Sequence, residues 1–533
     1  MLSSIDYWVI IASLIATMAV GLWFARKWKS TDDFFLAGRS VTWPFIGFSL
    51  FATNISSEHF VGLAAGGHSI GLVQGGYEWI ASYCLLMLAA VFAPQYLKHG
   101  VFTIPEFFEK RFGVELRMCL TIYFLLMIVL TKVTVAIYSG AIVIQAFLPP
   151  EVGFQTILWS IGIFTAIYTM AGGLAAVIYT DFIQAIILIA GSIVLTWAAL
   201  DKVGGWGQLV TSLEASKQVH LLSMVRPPTD PELPFSGFLL GNFLIGGMFY
   251  WCMDQVNVQR VLGAKSLNHA RAGAIFAGFL KIIPVFIMVL PGVIAVVLFP
   301  EIKNHNDTYA TLLGQLMPHG LRGFVIAALL AALMSSLSST FNSTSTLVAR
   351  DLLVRFRPGT SQRTQIWVGQ IALFAVMAGG ILCTPLVEKQ RTIWDYLQVV
   401  TGYLSVPFSV AGLFGVLSRR VNRQGAMAAV IVGIGLGSLL FLEKELKWGV
   451  ITTPYLASFL HRTALCGAVS AVAMWIVSRL TAPPPREVLD GSFSLFGART
   501  QDEKMPASSL IADWRLWWWL LFLIVTGLWI AFR

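Results

Sequence analysis

The segment at residues 43–67, WPFIGFSLFATNISSEHFVGLAAGG, is the strongest indication of the fold in this sequence. Its two ends are apolar, but six of the seven positions from Thr53 to His59 are polar. Such a run makes a poor lipid-facing helix, and unwound backbone at membrane depth is tolerated only inside protein or beside a water-filled cavity. Carbonyls freed by unwinding can coordinate a cation. The pattern predicts a membrane helix broken beside a cavity; the alternative is a kinked packing helix with hydrogen-bonded serines.

The whole chain has the composition of a membrane protein. Of its 533 residues, 57% are hydrophobic and only 12% are charged, far from the balance of a soluble domain. The net charge of +9 resides in short loops between apolar runs, which indicates membrane orientation rather than nucleic-acid binding. The five cysteines lie in apolar segments without metal-ligand spacing, so we expect small core residues rather than a disulfide or zinc framework.

About fourteen apolar runs are long enough to cross a hydrocarbon core of about 30 Å. No basic segment precedes the first run, so it is predicted to be a retained helix rather than a cleaved signal peptide. The predicted spans are roughly 5–25, 42–67, 70–97, 118–147, 153–171, 174–200, 234–262, 270–299, 317–350, 365–385, 393–417, 424–442, 457–479 and 511–532.

The distribution of Lys and Arg predicts the orientation. These residues concentrate in alternate loops, after the first, third, seventh, ninth and eleventh spans and before the last one. The positive-inside rule therefore places both termini outside. It also places segment 201–233 outside and the linker 481–510 inside. Neither segment is large enough for a soluble catalytic domain, so residues 1–533 are predicted to form a single membrane domain that is not an enzyme.

A second interruption is predicted in span 234–262. Gly246 and Gly247 precede Met248-Phe249-Tyr250-Trp251-Cys252-Met253-Asp254. Paired glycines are often only close-packing points, but an aromatic pair and an acid after them favour a break. Broken helices at the second and seventh spans are what inverted repeats produce. The repeats would cover about 42–200 and 234–417, with flanking helices at 5–25 and 424–532.

Span 317–350 carries the densest group of hydroxyls. Nine of the twelve residues from 335 to 346 are Ser or Thr. Serine in membrane helices commonly bonds to its own backbone, but this number exceeds what packing needs. Hard oxygen ligands suit a hard cation, and a mostly neutral set suits a monovalent one. The cluster therefore predicts a sodium ion as the bound cofactor.

Other polar side chains in apolar spans predict a solute path. A charge at the bilayer centre costs at least about 2.5–3.5 kcal/mol on insertion scales, so it persists mainly beside a cavity, a partner or a solute. The residues concerned are Glu78, Asp181, Asp254, Lys281 and Gln398.

Several long motifs follow one another along the chain. They are FFLAGRS at 34–40, ATNISSEHFVG to GGYEW at 52–79, TIPEFFEKRFG at 103–113, AGGLAAVIYTDFIQ at 171–184, QRVLGAKS at 259–266 and MSSLSSTFNSTSTL at 334–347. In these motifs the chain resembles the sodium/solute symporter family, and within it the sodium/glucose and sodium/galactose cotransporters. The resemblance implies an all-α, LeuT-like fold of ten core helices in two inverted repeats with extra helices at both ends.

The resemblance also implies ion sites. The family's common sodium site maps onto the backbone carbonyls of Ala52, Ile55 and Ala332 and the hydroxyls of Ser335 and Ser336. A second sodium site, used by some members only, maps onto Asp181 with Ser335, Ser338 and Ser339. The galactose transporter pattern has Ala at the position of Ser338, so the extra hydroxyl favours two-ion coupling. The alternative for Asp181 is a structural hydrogen bond.

A sugar site is implied in the same way. It maps onto Glu78, Lys281 and Gln398, with Tyr250 stacking on the sugar as inner gate and Asn54 bonding that tyrosine. Convergent donors and acceptors with an aromatic face suit a neutral polyol. The alternative for Lys281 and Glu78 is a structural ion pair. Trp251 is expected beside Tyr250, and the outer gate maps onto Leu63, Tyr77 and Trp394.

Departures from the galactose transporter leave the sugar open. His59 stands where that transporter has glutamine, and it is expected to contact the sugar; the alternative is a packing residue. Ala81 and Gly247 replace polar sugar contacts. Galactose, glucose, another hexose and a polyol such as inositol therefore all remain candidates.

Three kinds of function follow from these patterns. The leading one is sodium-driven import of a neutral sugar by alternating access. A symporter for an organic anion such as sialic acid is the alternative on the same fold, although Glu78 would repel an anion. A solute sensor or uncoupled channel is the alternative from another class. The predicted location is a plasma membrane or bacterial inner membrane, with lipid, sodium and sugar as partners and no obligate protein partner or nucleic acid.

Overall fold

The computed structural model describes residues 2–25, 30–149, 151–388, 393–446, 448–449, 453–485, 488–489 and 513–533. Within those ranges the chain is helical, and its one β-bridge joins Val41 to Ala264. The longer α-helices are Ser4–Ala25, Trp43–Asn54, Ser57–Ile70, Gly76–Met87, Ile104–Phe112, Val114–Met127, Thr134–Gln145, Phe154–Val203, Gly205–Ala215, Gln255–Leu262, Leu267–Leu280, Leu290–Leu298, Thr308–Leu316, Leu321–Leu347, Gln362–Leu382, Ile393–Leu417, Arg423–Glu445, Phe459–Leu480 and Trp514–Ala531.

Short elements connect and extend these helices. The short α-helices are Thr31–Leu36, Ala93–Lys98, Phe235–Gly237, Met248–Cys252, Val354–Phe356 and Thr384–Glu388. The π-helical segments are Leu88–Phe92, Ile128–Val133, Phe238–Gly247, Val285–Val289 and Val348–Leu353. The 3₁₀ turns are Ala37–Arg39, Leu72–Gly75, Val219–Leu222, His305–Asp307 and Pro454–Leu456.

Among the described residues, eleven helical segments are long and apolar enough to cross a membrane. Two shorter apolar helices, Phe154–Ile167 and Gly402–Leu417, add to them. The chain is thus a polytopic all-helical membrane protein. The count of fourteen spans stays a prediction.

The predicted spans 153–171 and 174–200 meet at a kink. Phe154–Val203 is continuous in hydrogen bonding but turns at Gly173, where φ is 59° and ψ is −159°. A Cβ at Gly173 would lie 2.5 Å from the carbonyl oxygen of Phe34. Only glycine combines that backbone conformation with so close an approach.

The centre of the molecule is the serine helix, Leu321–Leu347. Its hydroxyl-bearing residues from 335 to 346 are all buried. It packs most extensively against Phe154–Val203 and also against Ser4–Ala25 and Trp43–Asn54. Because neighbouring helices surround it, its polar side chains face protein rather than lipid. This lowers the free-energy cost of placing them at membrane depth.

The last helix, Trp514–Ala531, lies on the outside of this core. Trp529 packs edge-on against Trp79 at 5.5 Å between ring centroids, and the hydroxyls of Tyr83 and Thr526 share a hydrogen bond of 2.9 Å. The contacts hold the last helix against Gly76–Met87, the helix that carries Glu78.

Candidate functional site

The first predicted break lies at Ile55 and Ser56. Helix Trp43–Asn54 ends there, with Ile55 at φ −85° and ψ 110°, and Ser56 is the extended N-cap of Ser57–Ile70. We call these two helices together the broken helix. The N–H of Ser56 donates to Nδ1 of His59 at 3.4 Å. Because Nδ1 accepts, the proton of a neutral His59 lies on Nε2, which points at Glu78 Oε1 3.7 Å away.

A cavity of ≈ 200 Å³ lies beside the break. It is partly open, and most of its wall is apolar or aromatic, as in sites for small polar solutes. Its lining includes Asn54, Glu58, His59, Tyr77, Glu78, Tyr123, Thr131, Lys132, Asn242, Gly247, Tyr250, Trp251, Asp254 and Ser405. We call it the central cavity.

Lys281 lies behind the part of the cavity wall that Asn54 and Glu78 form. It ends helix Leu267–Leu280, and two residues separate it from Pro284, which has no N–H to continue the helical bonding. Its ammonium group contacts both the carboxylate of Glu78 and Oδ1 of Asn54. Lys281 is fully buried and the Glu78 side chain is 4% exposed. Each charge thus offsets the burial cost of the other.

Asn54 connects this ion pair to the aromatic gate predicted from the sequence. Its Nδ2 donates to the hydroxyl of Tyr250 at 2.9 Å while its Oδ1 accepts from Lys281. Tyr250 and Trp251 lie edge-on with ring centroids 5.3 Å apart, and the Lys281 ammonium is 5.3 Å from the Trp251 ring centroid. The structure therefore brings five predicted site residues into one network.

The second break differs from its prediction in position. Gly246 and Gly247 lie at the end of the π-helix Phe238–Gly247, and the helical run continues to Cys252. The chain leaves helical conformation at Met253, and Asp254 begins the next helix. The predicted break at the glycine pair was wrong, because the helical run passes through both glycines and Gly247 is a close-packing point. A Cβ on Gly247 would lie 2.7 Å from Oδ1 of Asn242.

Asp254 has two roles at the actual break. Its carboxylate accepts from the N–H of Val256 at 2.9 Å and caps the helix Gln255–Leu262. The same oxygen pairs with the ammonium of Lys132 at 2.8 Å. Lys132 also lies 5.2 Å from the ring centroid of Tyr250. A second lysine–carboxylate pair thus borders the central cavity.

Our reading of the sequence missed Lys132 and Glu58 as site residues. Lys132 is a charged residue within the apolar span 118–147, and its position there was the signal that could have revealed it. Glu58 lines the cavity beside His59, with 3.9 Å between its Oε1 and Nδ1 of that histidine. Among the described residues, its Oε2 has no hydrogen-bond partner.

The residues of the predicted sodium sites lie together beyond the break. The hydroxyl of Ser336 donates to the Thr53 carbonyl at 2.8 Å, which ties the serine helix to the broken helix. The hydroxyl of Ser335 donates to Asp181 at 2.6 Å. Residues Ala52, Ile55 and Ala332, the proposed carbonyl ligands, are all fully buried at this junction.

Asp181 is the centre of a buried hydroxyl cluster. It also accepts from Ser49 at 2.5 Å and from Thr53 at 3.3 Å. Ser339 shares a hydrogen bond of 2.9 Å with Thr53, whereas Ser338 donates to the Ser335 carbonyl at 3.0 Å. These oxygens supply the hard, buried ligands that a sodium ion requires.

Arg260 neighbours this cluster. It is fully buried and its Nε donates to Ser49 at 3.4 Å. Its charge acts favourably on the Asp181 carboxylate. The buried position of Arg260 was not predicted, because Arg260 falls in a motif expected to lie in an inside loop.

The remaining predicted residues are placed as follows. Tyr77 lines the central cavity and stacks edge-on with Phe238 at 5.1 Å. Leu63 is fully buried in the core. Gln398 and Trp394 lie on the helix Ile393–Leu417, but their side chains are outside the described part of the chain.

A helical membrane protein with broken helices, a central cavity and a buried oxygen cluster has the features of a secondary transporter. The sequence profile of the Sodium:solute symporter family matches residues 34–433. Sheep sodium/glucose cotransporter 1 is 38% identical over 472 residues, covering 81% of this chain and 71% of that protein. Rat sodium/glucose cotransporter 2 is 36% identical, covering 95% and 83%. The chain therefore belongs to the sodium:solute symporter family.

Solved structures share the fold. A Na⁺-coupled sialic acid symporter in a substrate-bound, outward-open state matches with a TM-score of 0.79 at 23% identity, over 90% of this chain and 99% of that one. A nucleobase-cation-symport-1 family transporter in a closed conformation matches with a TM-score of 0.58 at 15% identity, over 87% and 99%. The predicted LeuT-like architecture is confirmed at the level of the fold.

Proposed function

We propose that this chain imports a neutral hexose together with sodium by alternating access. The observation that carries the proposal is the network of Lys281, Glu78, Asn54 and Tyr250 at the wall of the central cavity. Glu78, Asn54 and Tyr250 line the cavity with a carboxylate, an amide and an aromatic ring, as a neutral polyol requires. Lys281 holds Glu78 and Asn54 from behind. The relatives that share about 35% of the sequence bear the name sodium/glucose cotransporter, which supports a hexose.

Two features argue against an organic anion as the substrate. The Lys281 ammonium, which would pair with a carboxylate, is already in contact with Glu78. Glu58 adds a further carboxylate to the cavity wall. An anion would have to approach both acids in a low-dielectric space, where like charges repel strongly. A cyclic polyol such as inositol stays as the alternative neutral substrate.

Sodium would bind where the serine helix meets the broken helix. The proposed ligands are the carbonyls of Ala52, Ile55 and Ala332 with the hydroxyls of Ser335 and Ser336. In that position the ion would hold the unwound backbone at Ile55 and Ser56 and thereby favour the conformation that binds sugar. A ligand shifts an equilibrium only by its difference in affinity for the two states, so coupling needs sodium to bind one state more tightly.

A second sodium would bind at Asp181 with Ser335, Ser338 and Ser339. The many hydroxyls around Asp181 support this assignment, although Arg260 supplies a positive charge nearby that an ion would have to tolerate. The comparison of Ser338→Ala with the parent protein tests it. Two-ion coupling predicts a fall in the sodium-to-sugar flux ratio from two to one; an unchanged ratio contradicts it.

The proposed topology has fourteen spans. The broken helix and the apolar helices Phe154–Ile167 and Gly402–Leu417 would join the eleven longer segments. Residues 42–200 and 234–417 would form two inverted repeats, with both termini outside a plasma membrane or bacterial inner membrane. Tyr250 would form the inner gate, and Leu63, Tyr77 and Trp394 the outer one, while Gln398 would add a sugar contact.

The direct test is uptake of labelled sugars by purified protein in liposomes. A panel of glucose, galactose, inositol and sialic acid should reveal concentrative uptake of a neutral sugar with an inward sodium gradient. Unlabelled sialic acid should compete poorly. Equal uptake of a neutral and an anionic solute would contradict the proposed selectivity, and equilibration without accumulation would favour a channel.

A further inference from the structure

Two histidines meet at one end of the broken helix, away from the central cavity. Nδ1 of His68 lies 2.7 Å from Nδ1 of His305, and their ring centroids are 5.0 Å apart with planes tilted by 54°. His68 is in the last turn of Ser57–Ile70, and His305 begins the 3₁₀ turn His305–Asp307. The pair joins a helix end to a loop that is 237 residues further along the chain.

Neighbouring contacts fix this meeting point. Helix Leu290–Leu298 packs on Ser57–Ile70, and the turn His305–Asp307 packs on the same helix. Asn304 caps that turn by accepting from the N–H of Asn306 at 3.2 Å. His68 is half-buried and His305 is exposed. The imidazoles are therefore held together by the fold and remain open to solvent on one side.

The short distance between the two nitrogens has a chemical consequence. Two imidazole nitrogens can share a hydrogen bond only if one carries a proton and the other accepts it. A metal ion binds neutral imidazole. An ion on both Nδ1 atoms therefore requires each ring to carry its single proton on Nε2, so the proton shared between the Nδ1 atoms would move to Nε2 of its own ring. Imidazole is a good ligand for Zn²⁺, Cu²⁺ and Ni²⁺, and Zn–N bonds are about 2.0–2.1 Å long. A tetrahedral ion on both nitrogens needs roughly 3.3 Å between them, so a small separation of the rings would admit it.

We propose that His68 and His305 form a binding site for a divalent transition-metal ion, with zinc as the best fit. The two Nδ1 atoms supply the protein ligands, and water on the exposed side completes the coordination. Among the described residues no group of three or more His, Cys, Asp or Glu side chains is placed to hold a metal. The proposed site therefore has two protein ligands and positions open to water, unlike a structural zinc site with four protein ligands.

The position of the ion gives it a mechanical effect. The loop that carries His305 connects the segment Leu267–Leu298, which contains Lys281, to the serine helix by way of Thr308–Leu316. A metal bridge from this loop to His68 would link the broken helix to the segment Leu267–Leu298 and to the serine helix. Because alternating access requires elements around the cavity to rearrange, such a bridge is expected to slow transport by stabilising one arrangement.

Zinc binding to the purified full-length protein tests the proposal. Isothermal titration calorimetry with zinc chloride should reveal one site in the parent protein. Second-shell changes alone cost about 10–100-fold in metal affinity, so removal of a ligand in His68→Ala or His305→Ala should cost at least about a hundredfold. His220→Ala is the matched control, because His220 is an exposed histidine on the turn Val219–Leu222 outside the pair; it should bind zinc like the parent.

A second measurement locates the ion. Zinc should slow amide hydrogen exchange in residues 299–307 and 66–71 of the parent protein and leave both segments unchanged in His305→Ala. Equal zinc affinity in the parent and in a His68→Ala/His305→Ala double variant would overturn the proposal. So would zinc protection confined to other segments. Neither measurement involves sugar, so the outcome is independent of the proposed transport.

Discussion

Two lysine–carboxylate pairs border the central cavity, and they differ in burial and connections. Lys281 and Glu78 are 0% and 4% exposed, and Asn54 links them to the hydroxyl of Tyr250. Lys132 and Asp254 are 19% and 7% exposed, and Asp254 also caps a helix. A buried pair loses most when one partner is removed, because the other charge is left uncompensated. Water screens a partly exposed pair.

Because of this difference, we expect the two pairs to have different roles. Glu78 and Asn54 line the central cavity and are placed to contact the solute, whereas the fully buried Lys281 lies behind them and holds both side chains in position. The Lys132–Asp254 pair is placed to fix the second break, since it joins the start of helix Gln255–Leu262 to the span Val114–Gln145. Tyr250 lies between the pairs: its hydroxyl is linked to the first through Asn54, and its ring face meets Lys132 of the second.

The largest effect is expected from the buried pair. Glu78→Gln and Lys281→Gln should each reduce uptake by at least about a hundredfold, since breaking a buried pair costs about 3–5 kcal/mol. Initial rates in proteoliposomes provide the measurement. The double variant should be no worse than either single one, because the lone charge is gone. Strictly multiplicative losses would argue that the two side chains do not act as a pair.

The effect of a substitution at a proposed sodium ligand should be distinguishable from the effects of substitutions in the two lysine–carboxylate pairs. Ser336→Ala should raise the sodium concentration for half-maximal uptake by roughly tenfold, the value of a contact of about 1.5 kcal/mol with a charge. The control is Thr344→Ala on the same helix, whose hydroxyl donates to the Thr340 carbonyl of that helix at 2.9 Å. If the two variants respond equally to sodium, Ser336 is not an ion ligand.

A smaller effect is expected from the partly exposed pair. Asp254→Asn keeps a good N-cap but loses the charge, and it should reduce uptake about fivefold for a loss of about 1 kcal/mol. Asp254→Ala loses the cap as well and should also lower the melting temperature. Differential scanning fluorimetry alongside uptake separates the two roles. An equal melting temperature for both variants would show that the cap contributes little.

The smallest effect is expected from a change at Tyr250, the residue between the two pairs. Tyr250→Phe keeps the ring and removes the hydroxyl that accepts from Asn54, a contribution of about 0.5–1 kcal/mol. The KM for sugar should therefore rise about twofold to fivefold with little change in kcat. Tyr250→Ala, which removes the stacking face, should be far worse. Identical kinetics of the two variants would contradict a stacking role.

Much of this architecture was predictable because membrane burial imposes strong local constraints. Polar residues at 53–59 could not form a lipid-facing helix, and the structure breaks the helix at Ile55 and Ser56. Glu78 and Lys281 were conspicuous as charges in apolar spans. Their pairing required knowledge that residues 203 positions apart are neighbours, and that came from the family resemblance rather than from local sequence.

The features that were not predicted from the sequence depend on tertiary packing. The glycine pair at 246–247 predicted a break, yet the helical run passes through it, Gly247 packs closely on Asn242, and the chain breaks six residues later. The N-cap preference of aspartate was a usable signal for Asp254. Lys132 was overlooked because nothing local indicates that its face of the helix meets Asp254. The functional roles of all these residues stay predictions.

Sodium-coupled accumulation of sugar can be measured in proteoliposomes that contain the purified protein. The vesicles are given labelled glucose with an inward sodium gradient or with choline in place of sodium. We expect transient accumulation of glucose above equilibrium with sodium and the loss of that accumulation with choline. Uptake that proceeds unchanged when choline replaces sodium would contradict sodium coupling.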